Sequence, residues 1–301
     1  MTDRFTGVIP PMITPLTADE QLDRPSVKRL VDFLIEGGVD GLFILGSIGE
    51  GPYLRSAVRQ GLAEATVEAA AGRVPVIAGV LETSTARVVD EIRSLSGRGL
   101  AGYVAAAPYY FGGFNDAELL DHFQRVADAS DLPILLYNIP QNTRVPLKAE
   151  LVLRLAELPN VVGIKDSSGD WTEVQWILQH RRPGFLVLQG MQTLCAVSLL
   201  AGADGLVPGH ANVYPRLLAN LMEAGRRRDV EALFRYQAQL DRLVKLRGRA
   251  STYTFKIVTK ALGLTEDHTS RPLPRLNAEE SERFLAASVA AGLPLPSQTS
   301  D

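Results

Sequence analysis

The sequence is poor in residues that build disulfides and metal sites. It has a single cysteine, Cys195, which excludes a disulfide within the chain. Four histidines are scattered at positions 122, 180, 210 and 268, and no two stand at a spacing typical of metal ligands. His210 alone falls where a strand should end, and a structural role is favoured there over that of a ligand. We therefore expect neither a metal nor a cofactor.

The sequence also lacks a basic face and a long apolar run. The net charge is −3 with a pI of about 5.9, and the one dense basic run, residues 226–228, reads as a solvated helix end before Asp229. No apolar stretch reaches the ~18 residues of a membrane span, and residues 1–10 lack the pattern of a signal peptide. We expect a cytoplasmic protein that binds neither nucleic acid nor membranes.

Eight short apolar segments are present instead, rich in Val, Ile and Leu and without two-residue alternation, which is typical of parallel strands buried on both faces. Segments with helical periodicity separate them. This alternation predicts an α/β fold, a (β/α)8 TIM barrel over residues 1–225. An open doubly wound sheet is the alternative, but no GxGxxG follows the first strand. The predicted strands are 7–15, 41–46, 74–80, 102–109, 133–140, 161–166, 185–190 and 203–209.

Strand signals stop after residue 210. Amphipathic helices are predicted at 213–225, 229–247, 251–262 and 277–291. The first completes the barrel, and the others form a C-terminal helical region, 226–301.

Lys165 is the one candidate amine on the predicted barrel rim, where the active site of such a fold lies. It ends the apolar segment 161–166. Burial lowers the pKa of an amine, and a neutral amine is a nucleophile towards carbonyl carbon. A side chain that extends out of the barrel mouth to solvent is the alternative. The other lysines, at 28, 148, 245, 256 and 260, fall on predicted helices, where solvated amines or packed stems are expected.

Two more rim features have two interpretations each. The stretch GSIGEG, residues 46–51, is a glycine-permitted tight turn or a set of backbone N–H groups that binds a carboxylate. Tyr137 either packs at a strand end or serves as a general acid and base beside Lys165.

Three of these stretches resemble the signatures of one family. GSIGE (46–50), YNIP (137–140) and GIKDSSGD (163–170) look like those of the dihydrodipicolinate synthase / N-acetylneuraminate lyase superfamily. The resemblance covers residues 5–291. It implies a barrel-fold class I aldolase, metal-independent, that forms a Schiff base with pyruvate or another 2-oxo acid.

The resemblance also implies roles for particular residues. Lys165 would form the Schiff base, and Tyr137 would move protons to and from the C4 oxygen of the substrate. Ser47 and Tyr110 would complete a hydroxyl relay, with Tyr110 reaching in from a neighbouring subunit. The loop that contains Tyr110, APYYFGGFND, is rich in aromatic residues, which predicts a subunit contact in a homo-oligomer; folding back onto its own barrel is the alternative.

Some residues would bind the 2-oxo acid part that all substrates share, and others would select among substrates by contacting the rest of the molecule. The Ser47–Ile48 backbone would hold the substrate carboxylate, and the Val207 carbonyl would lie near the imine. The residues that would meet the rest of the substrate are Asn142, Ser167, Ser168, Gly190, Met191, Gln192 and His210.

Departures from the family pattern bear on the substrate. Ile48 stands where a second threonine is common, and Asn142 stands where dihydrodipicolinate synthases carry an arginine, with Arg144 two residues on. Met191 and Gln192 replace the acidic residues of sialic acid lyases. We expect cleavage or dehydration of a 2-oxo-3-deoxy acid. The alternatives are the 4-hydroxy-tetrahydrodipicolinate synthase reaction, in which pyruvate condenses with aspartate semialdehyde, and a non-catalytic pyruvate-binding protein.

Overall fold

A computed structural model describes residues 2–246 and 251–290, and it confirms the predicted barrel. Eight parallel strands follow the order β1-β8-β7-β6-β5-β4-β3-β2. The ring closes between its two end strands, since Phe43 donates its backbone N–H to Pro10 and Met12 donates to the Phe43 carbonyl, at 3.0 and 2.8 Å. The strands are β1 (Gly7–Val8), β2 (Leu42–Ile44), β3 (Val76–Gly79), β4 (Gly102–Ala106), β5 (Ile134–Asn138), β6 (Val161–Asp166), β7 (Leu186–Gln189) and β8 (Gly205–Leu206).

Helices alternate with the strands at close to the predicted positions. One short helix, α5, was not predicted, and it begins at Pro140, whose fixed φ suits the first position of a helix. The helices of the barrel are α1 (Arg24–Glu36), α2 (Ser56–Ala70), α3 (Thr85–Leu95), α4 (Asp116–Asp128), α5 (Pro140–Thr143), α6 (Ala149–Leu155), α7 (Trp171–His180), α8 (Cys195–Leu200) and α9 (Pro215–Arg226).

The first strand is much shorter than the predicted segment 7–15. Pro10 and Pro11 follow it, and proline cannot donate a hydrogen bond to a neighbouring strand. Beyond Val8, the Ile9 N–H donates to the Leu206 carbonyl at 2.8 Å, and pairing then continues as an isolated bridge between Pro11 and Phe43.

Alternate strand residues fill the barrel, and those between them pack under the helices. The interior cluster includes Phe43, Tyr137 and Leu188. Tyr137 is paired with Lys165, and Lys165 with Leu188, across β5, β6 and β7. Since side chains in register share a face of a sheet, this pairing directs Lys165 into the barrel.

The C-terminal region consists of α10 (Val230–Leu246), α11 (Ser251–Ala261) and α12 (Ala278–Ala290). The proposed boundary at residue 225 lies one residue inside the end of α9. This region packs on the barrel: Gln237 of α10 accepts from the Ala196 N–H and donates to the Gln192 carbonyl, both at 2.9 Å.

One lysine differs from the sequence-based expectation of a solvated amine. Lys256, on α11, is fully buried, because its amine pairs with the carboxylate of Glu50 on the barrel rim. Within the described ranges, no helix is both long and apolar enough to cross a membrane.

Candidate active site

The Lys165 amine is enclosed by two aromatic rings. Its Nζ lies 4.0 Å from the ring centroid of Tyr137 and 4.7 Å from that of Phe43, and the side chain is only 4% exposed. Burial lowers the pKa of Lys165, while the neighbouring Tyr137 opposes this shift. The alternative of an amine extended to solvent is therefore wrong, and the amine is placed to be a nucleophile.

Gly190, at the end of β7, makes room for the lysine. A Cβ at this position would lie 2.1 Å from Ser167 Oγ and 3.2 Å from Lys165 Cε. Its backbone N–H donates to the Asp166 carbonyl at 2.6 Å. Gly190 therefore lies beside both the Lys165 stem and the Ser167 hydroxyl, and contact of either residue with a substrate stays a prediction.

Asp166 does not serve as the counter-ion of Lys165, although the two are adjacent in sequence. Successive strand residues point to opposite faces, and the Asp166 carboxylate accepts from Asn138 Nδ2 at 2.7 Å and from the Ser168 hydroxyl at 2.7 Å. Burial nevertheless raises the pKa of this carboxyl. These hydrogen bonds join the ends of β5 and β6. The Asp166 carboxylate therefore does not form an ion pair with the Lys165 amine.

The turn after β2 offers backbone donors. The N–H groups of Ser47 and Ile48 donate to no protein acceptor in residues 2–246 and 251–290. A hydrogen bond from the segment after β1 holds this turn, since the Thr14 hydroxyl donates to the Gly49 carbonyl at 2.6 Å. Backbone donors without partners at a strand-to-helix turn suit a carboxylate.

The other predicted binding residues differ in how far they are buried at the barrel mouth. Asn142 is exposed on α5, whereas Gln192 is buried and its side-chain oxygen accepts from the backbone N–H of His210 at 3.1 Å. Any contact of the Gln192 side chain with a substrate would therefore involve its amide nitrogen. Val207 is buried among the interior residues of the barrel.

Tyr110 faces away from its own barrel. Its side chain is 75% exposed, its ring packs edge-on against Phe111 with centroids 4.9 Å apart, and its φ is 99°. A positive φ is unfavourable for an aromatic residue. The loop thus presents Tyr110 outward and does not fold it back onto its own barrel.

Sequence reasoning missed Phe43 and the Glu50–Lys256 pair. Phe43 read as an ordinary strand residue, because only the closed barrel brings its ring to 6.2 Å from that of Tyr137. Lys256 stands inside the apolar run YTFKIV, and a charge in such a run indicates burial with a partner. In the part of the chain that the structure covers, no group of three or more His, Cys, Asp or Glu could hold a metal ion.

A lysine amine enclosed at the carboxyl end of a barrel strand is typical of enzymes that form Schiff bases with carbonyl substrates. The sequence matches the model of the Dihydrodipicolinate synthetase family over residues 4–291. The chain belongs to this family, whose members are lyase-type enzymes.

Individual relatives agree with this assignment. The chain is 34% identical to the 4-hydroxy-tetrahydrodipicolinate synthase of Salinibacter ruber over 93% of each chain, and 33% identical to that of Azoarcus sp. over 96% of this chain and 99% of the relative.

Solved structures show the same fold. YagE, a prophage protein of the family from E. coli K12 determined in complex with pyruvate, has a TM-score of 0.91 at 31% identity and covers 96% of this chain and 99% of its own. The dihydrodipicolinate synthase of Aquifex aeolicus has a TM-score of 0.92 at 28% identity, covering 97% of this chain and all of its own.

Proposed function

We propose that the protein is a class I aldolase or lyase in which Lys165 forms a Schiff base with pyruvate or a 4-hydroxy-2-oxo acid. The observation that carries this proposal is the enclosure of the Lys165 amine by Tyr137 and Phe43, with a lowered pKa. A neutral amine has the lone pair that attack on a carbonyl requires.

The reaction begins with attack of Nζ on the C2 carbonyl, which gives a carbinolamine. Protonation of the carbinolamine hydroxyl and loss of water then yield a protonated imine. In a 4-hydroxy-2-oxo acid, a base removes the proton of the C4 hydroxyl, the C3–C4 bond breaks, and its electron pair passes to C3 as the imine becomes an enamine. The C4 fragment leaves as an aldehyde or ketone, and protonation at C3 with hydrolysis releases pyruvate and the free lysine.

The residues around the amine are assigned to these steps by position. Tyr137, paired in register with Lys165, is the group proposed to take the C4 hydroxyl proton. Ser47 would connect this phenol to the relay, and the N–H groups of Ser47 and Ile48 would hold the carboxylate. The Val207 carbonyl would accept a hydrogen bond near the imine.

The neutral distal side chains favour a hydroxylated or small C4 substituent. Asn142 and Gln192 offer amides, and Met191 offers an apolar surface, so no side chain among these three would pair with a second carboxylate. We therefore prefer cleavage or dehydration of a 2-oxo-3-deoxy acid. Arginine is the side chain suited to bidentate carboxylate binding, and an amide does not replace it.

The synthase reaction is the second candidate, because several relatives are named 4-hydroxy-tetrahydrodipicolinate synthase at about one-third identity. It would require a cation for the carboxylate of the semialdehyde. Arg144 is the nearest arginine in sequence to the Asn142 position, and it is exposed at the end of α5. A steady-state comparison of 2-oxo-3-deoxy acids with pyruvate plus aspartate semialdehyde separates the two reactions. Efficient synthesis from the latter pair would overturn the preference.

Reduction with borohydride in the presence of pyruvate tests the central step. One reduced pyruvyl group is expected on the peptide that contains Lys165. Lys256 is an internal control, because it is also buried with a lowered pKa but is paired with Glu50. No adduct, or an adduct on the Lys256 peptide, would refute the Schiff-base proposal.

A further inference from the structure

A buried ion pair joins the C-terminal helical region to the turn after β2. Lys256 Nζ lies 2.5 Å from Glu50 Oε1, and both side chains are fully excluded from solvent. The other carboxylate oxygen, Oε2, accepts the backbone N–H of Ser270 at 2.6 Å, and Lys256 also donates to the His268 carbonyl. Glu50 is thus held by α11 and by the segment that follows it.

The turn that contains Glu50 has an unfavourable backbone. Leu45 and Glu50 have φ values of 59° and 61°, in the left-handed region. Gly51 is packed so closely that a Cβ there would lie 2.0 Å from the Leu45 carbonyl oxygen. Such a conformation persists only when the surrounding contacts fix it, and the Glu50 carboxylate supplies such contacts through Lys256 and the Ser270 N–H.

The same turn carries the two backbone donors that face no protein acceptor. Ser47 and Ile48 precede Glu50 by three and two residues respectively, and Glu50 donates its own N–H to the Ser47 carbonyl at 3.2 Å. The Ser47 carbonyl shares a planar peptide with the Ile48 N–H, and the Gly46 carbonyl, which accepts the Gly51 N–H at 3.0 Å, shares one with the Ser47 N–H. Fixing Glu50 and the adjoining Gly51 therefore restrains the direction of both donors. We infer that the Glu50–Lys256 pair is a positioning device that presets these two N–H groups for the carboxylate of a 2-oxo acid.

A second contact from α11 reaches the same edge. The Phe255 ring packs edge-on against the His210 ring, with the two centroids 5.1 Å apart. A Cβ on Gly209 would lie 3.0 Å from the nearest atom of the Phe255 ring. That Cβ position is also 3.7 Å from Ile48 Cδ1. Adjacent residues of α11 thus brace both the turn after β2 and the turn after β8, which makes the helix part of the site's scaffold.

Stability alone does not account for a pair of this kind. A buried ion pair is often no more stabilising than apolar side chains of similar volume, whereas removal of one partner leaves an unpaired buried charge. The double variant Glu50→Gln/Lys256→Met removes both charges and keeps similar volumes. It is therefore the suitable variant, because it separates loss of positioning from loss of folding.

The experiment measures borohydride trapping at Lys165 as a function of ligand concentration, and it rests on the proposed Schiff base. Two ligands are compared: pyruvate, and methyl pyruvate, which has the same ketone but no carboxylate charge. For the double variant we expect the half-saturating pyruvate concentration to rise at least about tenfold, which corresponds to ~1.4 kcal/mol. We expect the value for methyl pyruvate to change less than about twofold.

The matched control is Lys260→Met, one turn further along α11, where the lysine is half-exposed and paired with Glu266 and Asp267. It should leave both half-saturations unchanged. An unchanged pyruvate value in a folded double variant would overturn the inference, as would an equal rise for both ligands. Absence of trapping in the wild-type protein would instead refute the proposed function. If the double variant does not fold, Glu50→Gln/Lys256→Gln, which also removes both charges and keeps an acceptor for the Ser270 N–H, is tested in the same way.

Discussion

Lys165 Nζ lies 4.0 Å from the centre of the Tyr137 ring, and the two residues are directly paired between β5 and β6. Strand register places them on the same face, and the closed barrel excludes water around them. The amine thus lies against an aromatic ring, and its adjacent carboxylate in sequence, Asp166, is bonded elsewhere. This relationship underlies the first two predictions.

Replacement of Lys165 with methionine is expected to abolish turnover and increase stability. Loss of the nucleophile should lower kcat by roughly 10³-fold or more. Consider the pH range between the lowered pKa of the folded amine and the ordinary lysine pKa of the unfolded chain. In this range the unfolded state binds more protons than the folded state, so the stability of the wild type rises with pH. Near neutral pH the variant should therefore be more stable than the wild type.

Urea unfolding at a series of pH values measures this effect. The stability difference between the Lys165→Met variant and the wild type should shrink as pH rises towards the pKa of an ordinary lysine. Lys245→Met, on an exposed position of α10, is the control and should show no such dependence. A Lys165→Met variant that is less stable than the wild type at neutral pH would contradict the assignment.

Tyr137→Phe is expected to separate chemistry from imine formation. The ring would still cover Lys165 and pack edge-on against Phe43, whose centroid is 6.2 Å away. Loss of the hydroxyl should reduce kcat by about 10²–10³-fold, as for a removed general acid or base. Pyruvate trapping at Lys165 should persist. Unchanged kcat on every cleavable 2-oxo acid would show that the phenol moves no proton.

Gly190→Ala tests the space around the lysine. The added Cβ would overlap Ser167 Oγ and press on the Asp166 carbonyl, at 2.1 and 2.9 Å. Overpacking of this kind destabilises by about 1–3 kcal/mol, and the displaced Lys165 stem should slow trapping. In the double variant Ser167→Gly/Gly190→Ala the nearer overlap is removed, so part of the stability should return. If the double variant is as unstable as Gly190→Ala, the loss of stability comes from the contact with the Asp166 carbonyl alone and not from the overlap with Ser167 Oγ.

Local sequence patterns were sufficient to predict most of the barrel. Buried parallel strands read as continuous apolar runs, and Lys165 was identifiable because it ends one of them. The first strand was overpredicted, because apolar content continues through Pro10 and Pro11 while the regular strand ladder is reduced to an isolated bridge. The short helix α5 lay inside a stretch that read as a strand end.

The Glu50–Lys256 pair could not be predicted in the same way. Glu50 has an ordinary local interpretation in a glycine-rich turn, and the apolar run around Lys256 indicates that the lysine is buried but not which residue pairs with it. Only the fold brings α11 over the β2 turn, and a long-range pair leaves no periodic signal.

The final prediction is that the protein associates through the β4–α4 loop. Tyr110 and Phe111 are 75% and 87% exposed, and exposed aromatic clusters are typical of interfaces. We propose that Tyr110 completes the hydroxyl relay of a neighbouring subunit. Tyr110→Phe should then slow turnover by about 10-fold or more, as for a lost proton-transfer group, while pyruvate trapping at Lys165 continues.

Phe111→Arg places a charge in the proposed contact and should produce monomers in sedimentation velocity. These monomers should lose turnover to a similar degree and still trap pyruvate. Trp176→Arg, at an exposed aromatic residue on α7, is the control for a charge introduced elsewhere on the surface. If the Phe111→Arg monomer retains full turnover, Tyr110 has no catalytic role across an interface.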